Sequence, residues 1–176
     1  LANKQIYSEG VLVNQVLGQL DSHYSSYILC NDIGTHRHVT AVYYRAKNTC
    51  DYITSAGFSS FGTGLPLGIG AKLASPDRNV VVIAGDGGFH SNSGELETAS
   101  RLGLKMTVIV MNNNTNGLIK RYQLYGPNAR QNPKSTDFTS VSFANLAMAN
   151  GCQGIKINDF SELKQALLQA DSYQGP

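Results

Sequence analysis

Apolar residues along this chain recur in two rhythms. One is a three-to-four-residue spacing and the other is short unbroken runs. Val13, Val16, Leu17 and Leu20 repeat at i, i+3, i+4 and i+7, which predicts a helix over roughly 9–20 capped by Ser8. "SYILCND" (26–32) is short, apolar and ends in polar residues, as a buried strand does. "GTHRHVTAVYY" predicts a helix after Gly34, and "DYITS" (51–55) a short strand. "SFGTGLPLGIGAKLAS" (60–75) reads as a helix whose small residues allow close packing against another backbone.

"NVVVIAGD" (79–86) is the clearest strand and "KMTVIVMN" (105–112) the next. Between them Asn92 and Glu95 have capping-box spacing, and Leu96, Ala99 and Leu102 continue a helix. A shorter helix is predicted from near Asn116, and "NARQNPKSTD" (128–137) as a loop. Phe143, Leu146 and Ala147 mark a helix ended by Gly151, followed by a short strand "GIKI" (154–157). Ser161 would cap the last helix, with Leu163, Ala166, Leu167 and Ala170 facing inward. Strands alternate with helices, and the strands are apolar on both faces. That predicts an α/β fold: a doubly wound parallel sheet with helices on both faces. No repeat and no internal boundary appears, so 1–176 reads as one domain. One more strand would be natural after the final "YQGP", and the start at Leu1 looks cut from a longer chain.

Composition narrows the function classes. A net charge of +2 with no dense Lys/Arg block makes nucleic acid and anionic membranes poor partners. Charged residues are only 15%, against about 25% in typical soluble domains. So sparse a charge fits either coverage by another domain or subunit, or a simply neutral exterior. Cys30, Cys50 and Cys152 show no metal or disulfide spacing, which fits a reducing, cytoplasmic setting, with Cys30 as a core residue. No apolar stretch is long enough to span a bilayer, and the N-terminus lacks a signal-peptide pattern.

The chemistry concentrates where two strands end. Gly85, Asp86, Gly87 and Gly88 follow one strand, and Asn112, Asn113 and Asn114 follow the next. In open α/β sheets, ligands sit beyond the carboxyl ends of the strands. If these strands are neighbours, Asp86 and Asn113 face each other across a gap that suits a hard cation such as Mg²⁺. A carboxylate oxygen, an amide oxygen and a loop carbonyl would leave positions open for phosphate oxygens. The glycines would let backbone N–H groups approach those oxygens, with weaker support from the helix expected at about residue 92. Taken singly, each motif is also what an ordinary turn or polar loop would show. Their conjunction across one strand–helix–strand unit is what points to a metal–phosphate site.

At these residues the chain resembles the thiamine-diphosphate-dependent enzymes of the acetolactate synthase (acetohydroxyacid synthase) and decarboxylase type. "GDG" followed by "NNN", with Asp86 and Asn113 27 positions apart, looks like their cofactor motif. "NDIGTH" (31–36) looks like "D-x-G-x-H", and "SAGFSSFGTGLPLGIGA" (55–71) like "S-G-G-L-G-x-M-G-x-G-L-P-x-A-I-G-A". "ELETASRLGL" matches the family's helix after the metal aspartate, and "NNNTNGLIKRYQ" (112–123) is similar to "N-N-x-x-x-G-M-V-x-x-W-Q". The likeness covers nearly the whole chain and corresponds to the C-terminal, diphosphate-binding domain of three-domain enzymes.

The resemblance implies thiamine diphosphate and Mg²⁺ as cofactors and a 2-keto acid as substrate. Asp86, Asn113 and the carbonyl of Thr115 would hold the metal. Gly85, Gly87 and Gly88 would hold the diphosphate, and Thr35 and His36 its terminal phosphate. Phe61 stands where the family has a bulky residue that wedges the cofactor into a bent shape. The carbonyl of Ser59 would accept from the aminopyrimidine, and Gly117 and Leu118 would line the reacting end. Bending brings an amino group of the cofactor beside its reactive carbon, a proximity effect that would be worth several kcal/mol.

The resemblance also implies what lies elsewhere. The activating glutamate belongs to a pyrimidine-binding domain, in such enzymes from another subunit of a homodimer or tetramer, so this stretch alone is expected to be inactive. Two positions depart from the pattern: Phe61 replaces Met, and Tyr122 stands in for a substrate-selecting Trp. Nothing supports a flavin site. Two other readings are the small subunit of a split 2-keto-acid decarboxylase and a non-catalytic nucleotide-binding or partner module. A dinucleotide-binding domain fits poorly, because no G-x-G-x-x-G follows the first strand. His38 and His90 are expected to be structural or surface residues, Lys120 and Arg121 solvated, and "AVYY" (41–44) packing.

Overall fold

A computed structural model describes residues 11–127 and 133–176. Four strands pair in parallel: β1 (Ile28–Asn31), β2 (Tyr52–Thr54), β3 (Val80–Gly85) and β4 (Thr107–Met111). Their order in the sheet is β2-β1-β3-β4. The helices are α1 (Val13–His23), α2 (Thr35–Tyr43), α3 (Gly64–Ala74), α4 (Asp86–Ser91), α5 (Glu95–Arg101), α6 (Gly117–Tyr125), α7 (Phe143–Ala149) and α8 (Leu163–Ser172). This is the expected doubly wound α/β sheet.

Alternation along each strand sends neighbouring side chains to opposite faces. Ile28, Cys30, Val80, Val82 and Ala84 join one core with Leu65 and Ile69 of α3 and Leu96 and Ala99 of α5. Leu29, Val81 and Ile83 join the other with Val16, Leu17 and Leu20 of α1 and Leu163 and Leu167 of α8. Each such aliphatic side chain contributes about 1.5–3 kcal/mol by leaving water. The small face of α3 does what its composition suggests: a Cβ on Gly68 would lie 2.3 Å from Val82 Cγ2. Cys30 is an inert core residue whose thiol burial pushes up to about 12. Tyr44 stacks between Tyr27 and Tyr52, with ring centroids 5.5 and 5.8 Å away, while Tyr43 is exposed.

From β1 the chain steps outward to β2, then crosses back to β3 on the other side of β1. That reversal opens a crevice beyond the strands' carboxyl ends, between β1 and β3. Register aligns Asn31 with Ile83 and Gly85 with Met111, so the tips of β1, β3 and β4 end close together.

Several expectations change. Ser8 lies outside the described residues, and the described helix begins at Val13. Residues 128–132 also lie outside them, and 133–136 form a 3-10 turn. Asp86 is the first residue of a short helix, α4, whereas the first helix after this strand was expected only from about residue 92. Asn92 ends α4 instead of capping α5, which starts at Glu95 after Gly94. Leu102 terminates α5 and is exposed. Ser161 does not cap the last helix: Asp159 caps the 3-10 turn Phe160–Glu162 that leads into it, its carboxylate accepting from the Ser161 N–H while Glu162 Oε2 accepts from the Asp159 N–H. "GIKI" forms no strand, and beside it the Gln153 N–H donates to the Pro176 carbonyl. Among the described residues no helix is long and apolar enough to cross a membrane.

Candidate functional site

The tips of β1, β3 and β4 enclose an open cleft of about 470 Å³, within the size range of small-ligand sites. Asp86 enters it from the end of β3 and is only 5% exposed. Its Oδ1 accepts the N–H of Gly87 at 2.8 Å, and its Oδ2 accepts those of Asn113 and Thr115, each at 3.1 Å. Two carboxylate oxygens offer about four lone-pair directions. Three are taken by backbone N–H groups, which leaves one on Oδ1.

The three asparagines do different jobs. Asn112 Oδ1 accepts the N–H of Asn114 at 3.1 Å, an Asx turn. Asn114 has φ 54, the left-handed conformation that asparagine tolerates better than most residues. This turn lets the N–H groups on either side of Asn114 reach one oxygen of Asp86. Asn113 carries its amide into the cleft, 3.5 Å from where a Cβ on Gly117 would stand. Thr115 bridges to Asp137, with the ladder bonds carried by the Asn114 carbonyl and the Asn116 N–H. Among the described residues no group of three His, Cys, Asp or Glu gathers. A metal in the cleft would therefore meet one carboxylate plus amide and carbonyl oxygens, a set for a hard cation.

From the β1 side come Thr35 and His36, at the start of α2. His36 is 7% exposed, and its ring lies against Gly34 and Gly85. Among the described residues its buried Nε2 has no hydrogen-bond partner. Burial holds the imidazole down at about 4, against a raising hydrogen bond to the Asp32 backbone, so the ring is neutral near pH 7. A buried, unsatisfied nitrogen is costly unless something fills it.

Gly85, Gly87, Gly88, Gly117 and Leu118 all border the cleft, as does Phe61. The two central glycines face different neighbours. A Cβ on Gly87 would stand 3.0 Å from the Phe138 ring and 3.1 Å from that of Phe61. A Cβ on Gly88 would stand 2.2 Å from Asp32 Oδ2, so packing alone requires glycine there. Ser59 is exposed, has φ 53 and lies outside the cleft lining. His38 is exposed; His90 packs edge-on near Phe143, 6.3 Å between centroids; Lys120 pairs with Asp137 at 2.6 Å; Arg121 and Tyr122 are exposed.

Sequence reasoning passed over Asp32 as a functional residue. It lies at the tip of β1 and is 1% exposed. Burial pushes its carboxyl above the usual range, opposed by hydrogen bonds from the N–H groups of Ile33, Gly62, Gly64 and Thr63. The only signal for it was its place in "NDIGTH".

Residues 32–176 match the family model described as "Thiamine pyrophosphate enzyme, C-terminal TPP binding domain". The acetolactate synthase large subunit of Lactococcus lactis subsp. lactis is 36% identical over 132 residues, 75% of this chain and 23% of that protein. A probable acetolactate synthase large subunit of Methanocaldococcus jannaschii is 32% identical over 156 residues, 89% of this chain and 26% of that protein. The chain thus spans about a quarter of the length of these relatives. Among solved structures, a thiamine diphosphate-dependent 4-hydroxybenzoylformate decarboxylase of Rhodococcus jostii superposes with a TM-score of 0.87 at 22% identity. It covers all of this chain and 33% of its own, a likeness of fold.

Proposed function

The chain belongs to the C-terminal TPP-binding domain family of the thiamine pyrophosphate enzymes, and on that premise we propose that its cleft holds the diphosphate of thiamine diphosphate together with one Mg²⁺. It would do so as part of an acetolactate synthase-like carboligase or decarboxylase acting on 2-keto acids. One observation carries this reading: Asp86 meets the Asn113–Thr115 loop in a cleft also lined by His36, whose buried Nε2 has no partner among the described residues.

The donor set fits. Asp86 has one lone pair directed away from its backbone partners, and Asn113 and Thr115 add oxygens of the kind Mg²⁺ takes. When bound, thiamine diphosphate supplies the carbon that adds to the keto carbonyl and accepts the electron pair left by departing CO₂. The protein's part is to bind and orient. Asp86, Asn113 and the Thr115 carbonyl would hold the cation, and Gly85, Gly87 and Gly88 would line the diphosphate. The Thr35 hydroxyl and His36 Nε2 would meet the terminal phosphate. A phosphate oxygen at Nε2 favours a proton there, against the burial that otherwise keeps the ring neutral. Phe61 would press on the cofactor beside Gly87, and Ser59, Gly117 and Leu118 would contact its other end.

The group that activates the aminopyrimidine would come from a pyrimidine-binding domain, in a second subunit of a homodimer or tetramer. The chain by itself would then bind cofactor weakly and turn nothing over. The test is calorimetric titration of thiamine diphosphate into the chain, with and without Mg²⁺, and again with Asp86→Ala. Mg²⁺-dependent binding that disappears in the variant supports the assignment. Equal affinity in both proteins refutes it.

A further inference from the structure

Phe61 reaches the cleft from a loop that includes left-handed Ser59, φ 53, and Gly62, φ 82. Two side chains from separate elements grip the backbone groups of Gly62. Asp32 Oδ1, at the tip of β1, accepts the Gly62 N–H at 3.0 Å. Asn92 Nδ2, at the end of α4, donates to the Gly62 carbonyl at 2.8 Å. These partners are each 30 positions from Gly62, one before and one after it.

The surroundings leave little slack. A Cβ on Gly62 would stand 2.1 Å from Ser91 Oγ and 2.6 Å from Asn92 Nδ2, so both sterics and φ exclude a side chain there. Asp32 also holds the Ile33 N–H at 2.7 Å and lies against Gly64, where a Cβ would come within 2.8 Å of its own Cβ. Its other oxygen lies against Gly88. One buried carboxylate thus touches the Phe61 loop, the start of α3 and the glycine turn after β3.

We infer that Asp32 and Asn92 are positioning residues that clamp Gly62 at its N–H and at its carbonyl and so hold the Phe61 ring against Gly87. The clamp rests on the proposed function only for what Phe61 would press against. Its geometry stands without a cofactor. Hydrogen bonds to both ends of one residue fix the loop's tilt as well as its distance, and a ring one residue away inherits both.

The chain has no tryptophan, so Phe61→Trp places a single reporter on the clamped loop. Emission and acrylamide quenching are compared in this background alone, with Asn92→Ala, with Asp32→Asn, and with Ser93→Ala as a control. Far-ultraviolet circular dichroism is recorded for each. The expected result is a red shift and stronger quenching in Asn92→Ala at unchanged helix content, a smaller change in the same direction in Asp32→Asn, whose amide keeps one acceptor oxygen, and Ser93→Ala like the parent. In the otherwise natural chain, Asn92→Ala should speed exchange of the Gly62–Gly64 amides about tenfold, as loss of one hydrogen bond predicts. Should Asp32→Asn fail to fold, Asn92→Ala decides. A folded Asn92→Ala chain with the parent's emission, quenching and exchange overturns the clamp. Titration of thiamine diphosphate with Mg²⁺ is run in parallel: absence of binding tells against the cofactor reading, while the fluorescence contrast judges the clamp independently.

Discussion

The Asp86 carboxylate and the backbone N–H of Asn113 meet at 3.1 Å, although each stands beyond the end of a different strand. Parallel pairing of β3 with β4 produces the meeting, because Gly85 registers with Met111 and the two strands end side by side. The same carboxylate collects the N–H groups of Gly87 and Thr115. Asp86 thus organises the loop before any ligand arrives.

Asp86→Ala should therefore cost stability as well as cofactor binding. It strands three backbone donors, and urea unfolding should show a loss of about 1–3 kcal/mol. Asp86→Asn keeps an acceptor oxygen and should lose less stability. It should still lose Mg²⁺-dependent binding, because the charge has gone. A wild-type unfolding midpoint in Asp86→Ala would contradict the organising role.

His36 should impose a pH dependence on stability. Unfolded, its imidazole titrates near the ordinary value of about 6.5; folded, burial holds it at about 4. The folded value is the lower one, so the unfolded chain binds the extra proton first as pH falls. The neutral ring's contribution is complete above 6.5 and is lost between 6.5 and 4, by a total of about 3 kcal/mol. Urea midpoints measured from pH 4 to 8 should fall less steeply on acidification in His36→Gln than in the parent. Identical slopes would exclude the shift.

Arg78 holds a carboxylate that is otherwise out of water. Asp51 is 2% exposed and accepts from Arg78 Nη2 at 2.7 Å. Asn48 adds its backbone N–H at 2.8 Å and its side-chain amide at 3.0 Å. Arg78→Ala leaves that carboxylate, among the described residues, with the Asn48 bonds and newly open to water, and should cost about 1–2 kcal/mol. Asp51→Asn combined with Arg78→Ala should cost less than Arg78→Ala alone, a sign that thermal unfolding of the three variants can check.

Two glycines of α3 should respond to alanine in opposite directions. Among the described residues nothing lies within 4 Å of where a Cβ on Gly70 would stand, so Gly70→Ala should stabilise the chain by about 0.5–1 kcal/mol through helix propensity. At Gly68 the new methyl would meet Val82 Cγ2 at 2.3 Å and Met106 Cε at 2.7 Å. Overpacking there costs about 1–3 kcal/mol and outweighs the propensity gain. Opposite shifts in melting temperature are the expected outcome.

Much of this fold was legible in the sequence where the signal is local. β3 and β4 announce themselves as apolar runs, since both faces of β3 are buried and both faces of β4 pack, half-buried, against the two cores. The stripe of Val16, Leu17 and Leu20 marks α1 for the same reason. Where polar residues choose partners, spacing misled. Asn92 and Glu95 have the separation of a capping box, yet the Asn92 amide finds the Gly62 carbonyl, which only the packed fold brings near. Before the last helix Asp159 and Ser161 are both capping residue types, and the pairing of Asp159 with Glu162 caps the 3-10 turn Phe160–Glu162 that leads into it. "GIKI" has a strand's composition, but a strand also requires a paired neighbour, which composition does not encode.

The order of residues alone established an α/β sheet, the two strand ends that border the cleft, and the residues Asp86 and Asn113 at those ends. These follow from periodicity and covalent spacing, which act over a few residues. Only the tertiary structure decided that the tip of β1 joins them, that Asp32 is what demands glycine at position 88, and that Gly62 is held from two sides. Those relations depend on strand order and on side chains crossing between elements, and a hydrogen bond spanning 30 positions leaves no periodic trace in the chain.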